Sequence, residues 1–301
     1  MTTLQPIKTA TRASRPRAHT RGGAWSTPKK IRYTSFMIFM TLAAIVWIIP
    51  LVWMFSLALS DNQELQTTTT SLLPLGLTFD NFLAVLQGGL TNRWMLNSVI
   101  VTGITTVVTL LLSAMAGYAF ARIPFRGKAI VYPVVLAGLM VPREAMIVPL
   151  FLMFAEWDMH NTYEALILPR IAAPLGVFIM TQFMAAIPLE TEEAARMDGA
   201  NHWAIFWRIF LPMSIPAMTA LGIFTYILTW NDFLWPLVSA TQREMFTITT
   251  GLASLQGNFA QATELGSLMA RGVVASVPLL VLFLIFQRQL VRGISIGSGG
   301  K

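Results

Sequence analysis

The stretch Glu193-Ala194-Ala195-Arg196-Met197-Asp198-Gly199-Ala200 lies in a polar interval between two apolar runs. Just upstream, Glu192 stands four residues before Arg196, the spacing at which opposite charges meet on a helix surface. Ala194 and Ala195 leave one face nearly bare, so that a partner surface can approach closely. Asp198-Gly199 then ends the helix, because glycine adopts the left-handed backbone that a helix terminus favours. Asn201 has the chemistry to cap a second helix, along which Trp203, Phe206, Trp207 and Phe210 recur at i, i+3, i+4 and i+7. The expectation is two small helices with a bend, over about residues 188–210, shaped as a docking peg.

What flanks this segment decides the class. Of the 301 residues 55% are hydrophobic and 12% charged. A soluble domain carries about 25% charged residues, so lipid solvates most of this chain. A bilayer span needs about 20 apolar residues. Six windows supply them, at residues 36–59, 95–120, 129–154, 163–185, 212–229 and 273–286. Pro142, Pro149 and Pro174 are positions where these helices should kink or stop. The fold class is therefore all-α, a polytopic membrane protein with six transmembrane helices in residues 33–301. Residues 1–32, rich in Thr, Arg, Lys and Pro without apolar periodicity, read as a disordered basic tail. The first window exceeds the roughly 7–15 residues of a signal-peptide core and reads as a retained anchor.

Basic residues orient the chain. With the N-terminus in the cytosol, sixteen of the 21 Lys and Arg fall on the cytosolic side: eight in the tail, then Arg122, Arg126, Lys128, Arg196, Arg208, Arg288, Arg292 and Lys301. Arg93, Arg143, Arg170, Arg243 and Arg271 remain for the other side and the membrane. Both termini and the Glu193 segment are then cytosolic. The net charge of +7 is a tail and loops, not a nucleic-acid face, and no basic patch is interleaved with stacking aromatics.

Several function classes drop out. No phosphate-binding loop is present, since Gly127-Lys128 lacks both the upstream glycine and the following hydroxyl. If ATP drives the protein, another subunit binds it. With no Cys and three scattered His, nothing has metal-ligand spacing. There is no nucleophile-elbow or zinc-protease motif and no carboxylate pair within a span.

Three further constellations have physical readings. Ser113, Gly117 and Ala121 repeat every four residues and form a small face for close helix packing. Trp230, Asn231, Asp232, Phe233 and Trp235 cluster at the outer end of the fifth span, as an interfacial belt, an outer gate or a sugar-contacting patch. Arg170 is an intramembrane cation that either marks a pathway or snorkels outward. A lone ionisable group among six spans fits poorly with the alternative of a secondary transporter of a small polar solute.

The ordered series of motifs carries a resemblance. Asn97-Ser98, the run Ala116-Gly117-Tyr118-Ala119-Phe120-Ala121-Arg122, and Asn161-Thr162-Tyr163 come first. Glu193-Ala194-Ala195 with Asp198-Gly199-Ala200, Trp207-Arg208-Ile209, Leu211-Pro212, Trp230-Asn231-Asp232-Phe233, Gln287-Arg288 and Val291-Arg292-Gly293 follow. Over residues 31–300 the chain resembles the smaller permease subunits of carbohydrate ATP-binding-cassette importers of the maltose type, which have the type I importer fold. The long basic N-terminus departs from that pattern.

The resemblance implies a bacterial inner-membrane location and a set of partners: a second homologous permease, a dimer of cassette ATPases that holds ATP and Mg, an extracytoplasmic sugar-binding protein, and a sugar substrate in a lipid setting. It implies that Glu193, Ala194, Ala195, Asp198, Gly199 and Ala200 form the ATPase-coupling element. It also implies that the polar loop over residues 239–271 reaches the binding protein, through Gln256, Asn258 and Gln261. No cofactor or metal is expected in this chain itself.

Overall fold

The computed structural model describes residues 27–66, 72–87, 89–256 and 264–298. Among them there are fifteen α-helices and no strand. The chain divides into two units, Met1–Pro50 and Leu51–Lys301. Helix α1 (Thr27–Ala58) starts inside the stretch read from sequence as a tail. Pro28 is the reason: proline is preset for the first turn of a helix, and Lys29, Lys30 and Arg32 are good helix formers.

Short helices α2 (Asn62–Leu65) and α3 (Asp80–Leu86) lead into the long α4 (Leu90–Arg122). Next come α5 (Lys128–Ala137), α6 (Ile147–Glu156), α7 (Tyr163–Ile171) and α8 (Pro174–Ala185). The polar interval forms α9 (Leu189–Met197), α10 (His202–Ile205) and α11 (Leu211–Met213). The chain continues through α12 (Ile215–Trp230), α13 (Leu234–Ser239) and α14 (Ile248–Gln256) to α15 (Leu265–Ser298).

Three helical stretches are long and apolar enough to cross a membrane unbroken: Ile31–Ala58, Leu90–Arg122 and Leu265–Gln289. The other candidates are bent pairs. Lys128–Met140 and Arg143–Glu156 meet at 97°, Tyr163–Ile171 and Pro174–Ala185 at 44°, and His202–Met213 and Ile215–Trp230 at 72°. The first two breaks have one cause. Val141 and Ala173 each precede a proline, whose ring pushes the preceding residue out of the helical region, and both are extended. Pro149, a position expected to kink, lies in the first turn of α6, where a missing N–H is tolerated.

The central element is α4. Gly117 permits its closest approach to α8, for a Cβ there would lie 2.6 Å from the Met180 Cβ. Ser113 fills the corresponding gap beside Gly176. The small face over Ser113, Gly117 and Ala121 is thus consumed by packing within this chain. At the Arg122 end of α4, one apolar cluster joins Ala114 and Tyr118 to Met180 and Met184 of α8, to Ala195, Ile205, Phe206 and Phe210, and to Ala217 and Leu221 of α12.

The described part of residues 239–271 is not the open polar loop expected from its composition. It contains a short turn at Arg243–Met245, helix α14 and the first residues of α15. Thr247 and Thr250 are buried, so their polarity marks internal hydrogen bonding, not solvent.

Candidate functional site

The peg is built as the sequence foretold in outline. Helix α9 closes with paired bonds, Gly199 N–H to the Arg196 carbonyl and Ala200 N–H to the Ala195 carbonyl, each 3.0 Å. Gly199 holds φ +78°, the left-handed conformation this closure requires. Asn201 caps α10 by accepting from the Ala204 N–H at 2.8 Å. The aromatic stripe, however, does not lie on one buried face. Leu211 N–H bonds back five residues to the Phe206 carbonyl, a widened turn over Phe206–Phe210. Phe206 and Phe210 enter the core around Tyr118, while Trp203 and Trp207 stay exposed.

What fixes the peg is a buried ion cluster that sequence reasoning used only in part. Glu192 is 3% exposed. It accepts from the Arg196 guanidinium at 2.7 Å, and Arg122 Nε stands 4.0 Å away on its other side. Arg122 also donates to the backbone carbonyls that end α8, to Met184 at 2.8 and 3.2 Å and to Ile187. Its guanidinium lies 5.1 Å from the centre of the Phe210 ring. One side chain at the end of α4 therefore ties together the last turn of α8, the first turn of α9 and the aromatic segment. The signal available in the sequence was a terminal cation in the run ending at Arg122, but its partner is seventy residues away and no spacing rule finds it.

The expected coupling residues separate by exposure. Glu193, Ala194, Asp198 and Gly199 are exposed, and Met197 between them is 88% exposed. Ala195 is buried and Ala200 half-buried; both face the chain's own core and do not contribute to a bare docking face. Small size at those two positions serves the close seating of α9. The available edge is Glu193, Ala194, Met197 and the Asp198-Gly199 turn.

At the opposite end of α4, a second hydrogen-bonded knot holds the segment after α13. Asn97 donates to the carbonyls of Glu244 at 2.7 Å and Phe246 at 2.9 Å, and accepts from the Tyr163 hydroxyl at 2.7 Å. Ser98 accepts from Ile248 N–H, and Trp94 Nε1 donates to the Arg243 carbonyl. Asn161, at φ +62°, accepts from the backbone N–H groups of Thr241 and Gln242. These partners were invisible to pattern reading because each bond crosses more than 60 residues of sequence.

The remaining expected residues divide as follows. Trp230 is buried, stacked on Tyr226 with rings 5.9 Å apart, and packed with Trp94, Ile248 and Ala275, so it offers no free face for a sugar. Asn231 is exposed and donates to the Ile227 carbonyl. Arg170 and Asp232, taken separately from the sequence, form an ion pair with each other. The bent pair of His202–Met213 and Ile215–Trp230 ends at Trp230, and residues 231–233 join α12 to the short helix α13. Gln256 closes α14, whereas Asn258 and Gln261 lie outside the described residues. Among the described residues no group of three or more His, Asp or Glu is placed to hold a metal ion.

This chain belongs to the family of binding-protein-dependent transport system inner membrane components, whose model matches residues 110–296. It is 36% identical to the arabinooligosaccharides transport system permease protein AraQ of Halalkalibacterium halodurans over 258 residues, 85% of this chain and 92% of that protein. It is 32% identical to the trehalose transport system permease protein SugB of Mycobacterium tuberculosis, over 89% of this chain and 97% of that one.

Among solved structures, it resembles a chain of a bacterial ABC transporter involved in import of the acidic polysaccharide alginate. The TM-score is 0.77 at 20% identity, covering 88% of this chain and 98% of that one, which is a likeness of fold. The family reading made from sequence therefore holds, the chain is a membrane permease subunit and not itself an enzyme, and the secondary-transporter alternative is set aside.

Proposed function

We propose that this chain is one of two homologous membrane subunits of an ATP-driven importer of sugars or oligosaccharides in a bacterial plasma membrane. The observation that carries the reading is the peg: an exposed edge of Glu193, Ala194 and Met197 on a helix whose other face is locked to α4 and α8 through Arg122 and Glu192. Force applied to that edge is transmitted to the membrane helices, because the anchor is buried and multiply bonded.

Orientation follows from the basic residues. The tail, the peg and the C-terminus face the cytosol, where the peg docks on a cassette ATPase dimer carrying ATP and Mg. On the other side the segment held by Asn97, Ser98 and Asn161 faces an extracytoplasmic sugar-binding protein. The relatives named for arabinooligosaccharide and trehalose transport support a glycoside substrate. Nothing in the chain's own chemistry favours nucleic acid as a partner.

The test is reconstitution. Proteoliposomes holding this chain, a second permease, the ATPase dimer and a loaded binding protein should take up labelled oligosaccharide only with ATP and only with the binding protein. Uptake that persists without the ATPase, or with this chain as the only permease, would overturn the reading.

A further inference from the structure

The turn at Arg243–Met245 is fixed through its main chain. Asn161 Oδ1 accepts from the N–H groups of Thr241 at 2.7 Å and Gln242 at 2.8 Å. Trp94 Nε1 donates to the Arg243 carbonyl at 2.6 Å, and Asn97 donates to the carbonyls of Glu244 and Phe246. Met245 N–H closes the turn on the Gln242 carbonyl at 3.0 Å. Trp94 itself is seated directly on the α14 backbone, where a Cβ on Gly251 would lie 2.2 Å from its ring. On the inner side Met245 is buried in one cluster with Ala240, Val101, Leu166 and Ile167.

The side chains of the turn are spent on none of this. Thr241, Gln242, Arg243 and Glu244 are exposed. Among the described residues, the side chains of Gln242, Arg243 and Glu244 make no hydrogen bond and no ion pair. A main chain already ordered by its own protein loses little further freedom when a partner arrives, so these three polar groups are presented at low ordering cost. Arg243 and Glu244 stand side by side with both charges free, the property of a contact that steers and registers a charged partner.

The place of the turn and its composition narrow the partner. It is bound to Trp94 and Asn97 near the start of α4, whereas Arg122 and the peg lie at the other end of that helix, 33 residues or about 50 Å long. With the peg in the cytosol, the turn is extracytoplasmic. A contact with lipid headgroups would draw on Trp and Tyr at the membrane surface. Permanent subunit contacts are predominantly apolar. The run Thr241-Gln242-Arg243-Glu244 has no apolar residue and carries both signs of charge, which suits a water-borne protein that docks and leaves.

We propose that Gln242, Arg243 and Glu244 are a docking contact for the extracytoplasmic binding protein, with Trp94, Asn97 and Asn161 as the residues that position them. This rests on the importer reading above. Arg243 meets an acidic group on the binding protein, and Glu244 meets a basic one.

The experiment titrates the assembled transporter in proteoliposomes with the loaded binding protein that supports uptake in the reconstitution above, and reads ATP hydrolysis. Stimulation of the wild-type complex tests the importer reading, and its absence would overturn that reading and this proposal together. The docking contact is read only from variants compared with a stimulated wild type. The triple variant Gln242→Ala, Arg243→Ala, Glu244→Ala should need roughly tenfold or more binding protein for half-maximal stimulation, with the wild-type rate recovered at saturation. Added salt should raise the half-maximal concentration less for the triple variant than for wild type, because its exposed charges are gone.

A half-maximal concentration within about twofold of wild type would overturn the proposal. So would loss of the second permease from the purified triple variant, which would make the turn a permanent subunit contact.

Discussion

Replacing Arg122 with Met isolates what the buried anchor contributes to the peg. The substitution keeps the stem of the side chain but removes every donor. The carbonyls of Met184 and Ile187 lose their guanidinium partner, the Phe210 ring loses the cation over it, and Glu192 retains only Arg196, which is half exposed. Breaking a buried ion pair by removing one partner costs about 3–5 kcal/mol. The lower end applies here because Arg196 still neutralises Glu192. Taking about 3 kcal/mol, the opening equilibrium of α9 rises roughly 100-fold.

Hydrogen exchange read by mass spectrometry on the purified complex measures that opening directly. Amides over residues 189–200 should exchange about two orders of magnitude faster than in wild type. Those in the middle of α4 should be unchanged. Protection of α9 within about threefold of wild type would show that the ion cluster does not hold the peg.

Two substitutions on the peg separate its surface from its scaffold. Glu193→Lys alters only an exposed edge, so amide protection should match wild type while the amount of ATPase that co-purifies falls sharply; full ATPase content would contradict the docking role. Gly199→Val meets no neighbouring atom but forces a β-branched residue to φ +78°, at about 1–2 kcal/mol, so the peg should exchange about tenfold faster and Gly199→Asn should recover most of the difference.

How much of this was legible in the sequence depended on the range of the interaction. The spans, the Gly199 closure and the Asn201 cap are set by residues within four or five positions of one another, and pattern reading found them. The breaks at Val141 and Ala173 follow from the prolines after them, but proline alone did not separate Pro142 and Pro174, each of which follows a break, from Pro149, which sits inside the first turn of α6. Ala195 and Ala200 look like a docking face in one dimension, and only the core around Tyr118 and Ile205 shows them facing inward.

The joint between Arg122 and Glu192, the Asn97 knot and the Arg170 to Asp232 pair join residues 62 to 150 positions apart, and no periodicity encodes them. Polarity misled at Thr247 and Thr250, which are buried with their hydroxyls hydrogen-bonded to each other.

Because the chain has no cysteine, single cysteines can report which edge of α9 meets the ATPase. In the active reconstituted transporter, Glu193→Cys and Met197→Cys should cross-link to the ATPase subunit through a short bifunctional thiol reagent, and Ala195→Cys, facing the core, should not. Cross-linking at none of the exposed positions in a complex that still transports would contradict coupling through this edge.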